Sequence, residues 1–160
     1  MSVLRELHAD VIALQEADRR IGAREAVLPR ALLDDSPWRV AHVAKRPQSM
    51  GWHGNAILVR RDLPIEECHA LNLPTLEPRG AACAVIGEGK KSFRVIGTHL
   101  DLSGLRRRDQ VRSLLRFASD HGDMPTVILG DFNQWGHTTG AMREFEKEWG
   151  QIAPGPSYPS

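Results

Sequence analysis

The chain has 160 residues, of which 41% are hydrophobic and 26% are charged, and this balance is typical of a folded domain rather than a disordered chain. Its 21 Lys and Arg residues nearly cancel its 20 Asp and Glu residues, so the net charge of +1 excludes binding to nucleic acid or an anionic membrane through overall charge. No apolar run reaches the length of a membrane span or a signal peptide core. We therefore expect a soluble, non-secreted, cytoplasmic protein.

The first half of the chain alternates short helices and strands. Apolar side chains recur at helical spacing over residues 2–9, and residues 10–16 form a nearly continuous apolar run that ends in Glu16. This pattern predicts a helix followed by a buried strand. A second helix is predicted over residues 23–35, up to or around Pro29. Strands are predicted over residues 38–44, 54–61, 65–73, 79–87 and 92–102.

The second half contains the clearest helix of the sequence. Residues 103–122 place apolar side chains on one helical face, with Ser103 as a candidate N-cap and Gly122 beyond the end. That face consists of Val111, Leu114, Leu115 and Ala118. An apolar strand then runs into a polar segment within residues 127–135, and a short helix is predicted over residues 138–150. Strands alternating with helices predict an α/β class.

Three of the predicted strands end in polar groups suited to phosphate chemistry. These groups are Glu16, His99 with Asp101, and Asp131 with Asn133. Carboxylate oxygens are the ligands that Mg²⁺ prefers, and a histidine can donate a hydrogen bond to a phosphoryl oxygen. In an extended segment, residues two apart point to the same side, so Asp131 and Asn133 are expected to act together.

Each of these groups also has a structural interpretation when taken alone. Glu16 is then a solvated strand end, and His99 is a structural histidine. The GDFN segment that contains Asp131 is then an Asx-type turn. The two cysteines, Cys68 and Cys83, are too few for a disulfide framework or a zinc site, and we expect reduced, buried thiols in strands. Only the combination of the three strand ends, in this order, points to a phosphate site.

Four segments together resemble the endonuclease/exonuclease/phosphatase superfamily. They are DVIALQE, GNAILVRR, RVIGTHLD and VILGDFNQW. The resemblance implies one partial domain over residues 1–160, with the fold of a four-layer α/β sandwich. In that fold two mixed β-sheets pack face to face and helices flank them. It also implies metal-assisted hydrolysis of a phosphate ester, by a phosphodiesterase or a nuclease.

The resemblance assigns roles to individual residues. Glu16 matches the metal-binding glutamate, with Mg²⁺ as the expected cation and Mn²⁺ as a substitute. His99 matches the phosphate-side histidine, and Asp131 with Asn133 matches the pair that orients the nucleophile and the scissile phosphate. Asn55 is a weaker candidate for substrate contact. We expect Glu16, His99, Asp131 and Asn133 to converge at one end of the sandwich.

The sequence departs from the family pattern at both ends. Family members begin with a strand that carries a metal-binding asparagine, and they end with a strand that carries an Asp-His pair. No counterpart of either is found in this sequence, so the sandwich is expected to be incomplete at both ends. The chain is then a fragment, a product of misassigned boundaries or a degenerate member. We expect poor activity from it alone and self-association through exposed sheet edges.

Substrate class stays open at the level of sequence. A basic cluster, Arg106, Arg107, Arg108 and Arg112, either meets a phosphate backbone or forms a solvated helix face. Trp52, His53 and Trp135 either stack on a base or form an apolar rim, and Trp135 is the substrate-binding candidate among them. Nucleic acid, phospholipid head groups and small phosphate esters all fit. The alternative function is a non-catalytic remnant of the fold that acts as a binding module.

Overall fold

The computed structural model describes residues 2–19, 25–44, 47–75, 79–134, 140–145 and 149–150. The helices in these ranges are Ser2–Glu6 (α1), Arg30–Asp34 (α2) and Gly104–Asp120 (α3), with 3₁₀ helices at Gly89–Lys91 and Gly140–Glu144. The strands are Val11–Leu14 (β1), Trp38–Val40 (β2), Ala56–Arg60 (β3), Ile65–Asn72 (β4), Gly80–Ile86 (β5), Phe93–His99 (β6) and Thr126–Asp131 (β7). The chain therefore has a mixed α/β fold.

The strands form two sheets, one of three strands in the order β1-β3-β2 and one of four strands in the order β4-β5-β6-β7. The four-stranded sheet is mixed because β6 and β7 are parallel, while its other neighbours are antiparallel. The three-stranded sheet is antiparallel, so the expectation that both sheets are mixed is wrong for the described strands. Parallel neighbours need a long crossover, and α3 supplies it only between β6 and β7.

The two sheets pack against each other through apolar side chains. Ile57 and Val59 of β3 share a buried cluster with Ala82 and Ala84 of β5. The sheets approach closely at Gly97 of β6, where an added Cβ would lie 3.3 Å from the Ala13 Cβ. The absence of a side chain there lets β1 lie directly on β6. This packing sets the relative position of the strand ends that concern the site.

Helices cover the outer faces of both sheets. Val111 and Leu114 of α3 pack on Ile96 of the four-stranded sheet, and Leu33 of α2 packs with Ile12 of the three-stranded sheet. The predicted apolar face of α3 is confirmed, since its residues are buried or half-buried on this sheet. Within the described chain no helix is long and apolar enough to cross a membrane.

Several predicted boundaries differ from the observed ones. The helix predicted up to or around Pro29 is wrong for the described residues, because α2 lies after the proline, at Arg30–Asp34, with Pro29 at its N-cap position. The last predicted helix appears as a short 3₁₀ helix, and parts of residues 138–150 lie outside the described residues. Ser103 precedes α3 as predicted, although its side chain makes no capping hydrogen bond.

Both cysteines are free thiols in neighbouring strands, as predicted. The predicted burial is confirmed for Cys83 of β5, whereas Cys68 of β4 is only half-buried, so the prediction is wrong for Cys68. Burial raises the pKa of the Cys83 thiol to about 12, because the apolar surroundings disfavour the thiolate. Cys83 is therefore a packing residue rather than a nucleophile.

Candidate active site

The parallel pairing of β6 and β7 brings His99 and Asp131 together. Parallel strands end at the same edge of a sheet, and His99 faces Asp131 as the last pair of this ladder. The His99 Nε2 atom lies 3.7 Å from the Asp131 Oδ2 atom. The His99 side chain is 16% exposed and that of Asp131 is 38% exposed, so both are accessible from the same edge.

Asn133 is held beside Asp131 by a turn. Its backbone N–H donates to Asp131 Oδ1 at 2.8 Å, which is the Asx-type turn considered for GDFN. Its side-chain amide donates to the Leu100 carbonyl at 2.8 Å, and its φ is 48°. The two residues are therefore adjacent because the backbone turns after β7, not because the segment is extended. This turn fixes one carboxylate oxygen of Asp131 and leaves the other directed towards His99.

Glu16 follows β1 at the edge of the three-stranded sheet. Its side chain is exposed, and its φ of 55° lies in the left-handed region. The next residue, Ala17, donates its N–H to the Gly54 carbonyl at 2.9 Å. An added Cβ on Gly54 would lie 3.5 Å from the Glu16 Cα atom. The Glu16 backbone is thus held against the turn that precedes β3.

Asn55 joins the two sheets at this same edge. Its side-chain amide donates to the carbonyl of Gly80, at the start of β5, at 2.9 Å and to that of Trp52 at 3.3 Å. Gly80 lies at the end of the four-stranded sheet that carries His99, because Ala81 pairs with Thr98 one residue inward. The strand ends that carry Glu16 and His99 therefore lie at the same end of the two packed sheets.

Asn55 itself is almost completely buried, with 1% of its surface exposed. Its Oδ1 atom has no hydrogen-bond partner among the described residues. The contacts of its amide are with the backbone of the protein, so they position the two sheets. A role in substrate contact stays a prediction. The other substrate-contact candidate, Trp135, lies outside the described residues.

The basic cluster on α3 is engaged in ion pairs. Arg108 and Arg112 both donate to the carboxylate of Glu144, which follows from the packing of the Gly140–Glu144 segment on α3. The guanidinium of Arg112, followed by that of Arg108, lowers the pKa of the Glu144 carboxyl. Arg107 donates to the carbonyls of Asp101 and Leu102. Much of the cluster is thus used to fix the start and flank of α3.

The donor set at this edge fits a divalent cation of the hard type. Glu16 offers an exposed carboxylate, and Mg²⁺ binds through one or two carboxylates while keeping several waters. Within the described chain, no three or more His, Cys, Asp or Glu residues form a group that could hold a metal ion. A closed zinc-type cage is a different arrangement from the single exposed carboxylate seen here.

Sequence reasoning missed two residues that shape the site. Asp18 is buried, and its carboxylate accepts hydrogen bonds from Ser49 Oγ and from the Met50 N–H group at 2.7 Å. It ties the segment after Glu16 to the segment before the 52–55 turn. Gly130 has a φ of 140°, and an added Cβ would lie 1.9 Å from the Thr98 carbonyl oxygen. The only sequence signals were an acid two residues after Glu16 and a glycine inside a strand.

Two packed sheets whose paired strand ends present a glutamate, a histidine and an Asp-Asn turn define a phosphoesterase type of architecture. The chain belongs to the endonuclease/exonuclease/phosphatase family, whose model matches residues 1–149. No curated protein matches the chain.

Solved structures support the same fold. A conserved protein of unknown function from Enterococcus faecalis V583 is 20% identical with a TM-score of 0.70, over 91% of this chain and 61% of that one. The catalytic domain of human Nocturnin, with a bound sulfate anion, is 18% identical with a TM-score of 0.69, over 91% of this chain and 60% of that one. D. rerio TDP2, complexed with a single-strand DNA product, is 18% identical with a TM-score of 0.63, over 85% and 52%. The chain thus spans between 52% and 61% of the length of these three structures.

Proposed function

We propose that this chain carries the metal-binding and phosphate-orienting groups of a metal-dependent phosphoesterase, most simply a phosphodiesterase or a nuclease. The observation that carries the proposal is the hydrogen bond from Asn55 to Gly80, which sets the Glu16 end of one sheet beside the His99 and Asp131 ends of the other. In this proposal the chain forms part of a four-layer sandwich. Location in the cytoplasm stays a prediction from the sequence.

The proposed roles follow from the contacts of each side chain. Asp131 has one oxygen held by the Asn133 N–H group, and its other oxygen, on the side of His99, would accept a hydrogen bond from the attacking water. His99 is mostly buried beside Asp131 and can donate a hydrogen bond to a phosphoryl oxygen as negative charge develops there. Glu16 would hold Mg²⁺, or Mn²⁺ in its place. When bound, the cation supplies Lewis-acid polarisation of a phosphoryl oxygen.

The proposed substrate class is a phosphodiester. Nucleic acid has the support of the DNA product bound to TDP2, whereas the ion pairs of Arg108 and Arg112 reduce the free positive charge of α3. Phospholipid head groups and small phosphate esters remain the other substrates to assay. Self-association is a further proposal, and Val127 on the outer strand β7, 46% exposed, is a candidate contact.

The activity test compares the 160-residue chain with a version extended at both ends by the family's asparagine-bearing and Asp-His strands. With Mg²⁺ and bis-p-nitrophenyl phosphate, we expect turnover by the extended chain. We expect turnover by the short chain to be lower by about 10² to 10⁴-fold, the usual cost of losing a general base.

Two variants of the extended chain give the controls. Asp131→Ala should remove turnover, whereas Asp120→Ala, at the exposed end of α3, should leave it unchanged. Substantial metal-dependent turnover by the short chain would show that the groups on the added strands are not needed. No turnover by the extended chain on diesters, nucleic acid or phospholipid would favour a binding module instead.

A further inference from the structure

Residues 52–55 form a tight turn that has an unusual residue at its centre. The Trp52 N–H donates to the Asn55 carbonyl at 2.8 Å, and the Asn55 N–H donates back to the Trp52 carbonyl at 3.0 Å. The two central residues, His53 and Gly54, have φ values of 50° and 81°. A turn with positive φ at both centres is of type I′, for which Asn-Gly and Gly-Gly are the favoured pairs. Histidine is not part of these favoured pairs, although it adopts the left-handed region more often than most other non-glycine residues.

The left-handed residues of this chain are concentrated near the proposed site. Among the described non-glycine residues, those with positive φ are His8, Glu16, His53 and Asn133. Glu16 and Asn133 belong to the proposed site, and the 52–55 turn contacts the Glu16 backbone through Gly54. Strained residues persist where the surrounding structure holds them, and they cluster at functional sites. His53 lies next to the proposed site in the same backbone conformation, and the proposed function does not yet assign it a role.

The packing of the turn places His53 between the Glu16 end and the His99 end of the edge. The His53 ring packs against the Trp52 indole with 4.4 Å between ring centroids. The Trp52 Nε1 atom donates to the Leu71 carbonyl at 3.1 Å, and an added Cβ on Gly80 would lie 2.6 Å from the indole Cδ1 atom. The indole thus lies on the strand end beside His99, while Gly54 lies on Glu16. His53 is part of the turn that connects these two contacts.

We propose that His53 is a substrate-binding residue whose imidazole donates a hydrogen bond to a non-bridging oxygen of the phosphate. The proposal rests on the proposed function, because it assigns a further residue to the same site. The His53 side chain is only half-buried, so a ligand at this edge can reach it. A residue that served only to form the turn would be better replaced by Asn or Gly, which adopt this conformation at lower cost.

The test uses a substitution that favours the turn conformation but removes the group proposed to bind the ligand. His53→Gly suits the left-handed backbone and removes the imidazole. We expect its urea unfolding midpoint to stay the same or to rise. Binding of inorganic phosphate in the presence of Mg²⁺, measured by calorimetry or ³¹P NMR, should weaken by about tenfold to a hundredfold, which is typical for a lost hydrogen bond to a charged group.

His8→Gly is the matched control, because His8 is also a left-handed histidine, with a φ of 47°, and lies before β1 at the end opposite Glu16. It should leave phosphate binding unchanged. If phosphate binding is unchanged in His53→Gly but lost in Glu16→Gln, the proposed role of His53 is wrong while the proposed function stands. No Mg²⁺-dependent phosphate binding by the unaltered chain would contradict the proposed function and this inference with it.

Discussion

Glu16→Gln is expected to abolish Mg²⁺ binding, with a fall in affinity of at least about 100-fold by isothermal calorimetry. The amide keeps the size of the carboxylate but removes its charge, and hard cations with tightly held water require charged oxygen ligands. The backbone at Glu16 is fixed by the Ala17 hydrogen bond to Gly54, so the substitution should not alter the fold.

Glu88→Gln is the control for Mg²⁺ binding, because Glu88 is an exposed carboxylate that precedes the Gly89–Lys91 3₁₀ helix, between β5 and β6. Its affinity for Mg²⁺ should equal that of the unaltered chain. If Glu16→Gln binds Mg²⁺ as tightly as the unaltered chain does, then Glu16 does not hold the cation.

Gly130→Ala is expected to be among the most destabilising single substitutions in the chain. An alanine Cβ at this position would overlap the Thr98 carbonyl oxygen, and the φ of 140° is unsuited to any side chain. The strained conformation and the overpacking together cost about 2 to 6 kcal/mol. Because Thr98 and Gly130 precede the His99 and Asp131 pair, relief of this clash would separate β6 from β7 at the site.

Gly122→Ala separates the two causes. Gly122 also has a positive φ, of 86°, but an added Cβ meets no heavy atom within 4 Å. We expect it to cost about 1 kcal/mol from backbone strain alone. Urea unfolding of the two variants measures the difference between their free energies of unfolding. If Gly130→Ala is as stable as Gly122→Ala, the ends of β6 and β7 accommodate the added Cβ without loss of stability.

The sequence predicts the elements whose signal is local. The helical period of the apolar residues predicts α3. Continuous apolar runs predict β3, β5 and β6, since nearly all residues of these strands are buried on both faces of their sheets. Most observed strands begin or end one or two residues inside the predicted ranges, because the residues at the ends of those ranges are not paired with a neighbouring strand. The order of motifs predicts the family because the site residues terminate these same strands.

The features that the sequence does not predict depend on contacts between distant segments. The hydrogen bond from Asn55 to Gly80 spans 25 residues, and no periodicity or motif reports such a pairing. The positive φ of Glu16 is uncommon for a glutamate, and the surrounding structure imposes it. Likewise, Arg108 pairs with Glu144 across 36 residues, so part of the basic cluster serves the packing of the fold.

Paramagnetic broadening by Mn²⁺ tests most directly whether Glu16 and the groups on β6 and β7 form one site. Added at low stoichiometry, Mn²⁺ bound at Glu16 should broaden the NMR signals of the His99 ring and the Asn133 side-chain amide, and should leave those of His8 sharp. Glu16→Gln should restore the sharp signals. Mn²⁺ binding that requires Glu16 but leaves the signals of His99 and Asn133 unchanged would contradict the account, because the cation would then lie apart from the phosphate-orienting groups.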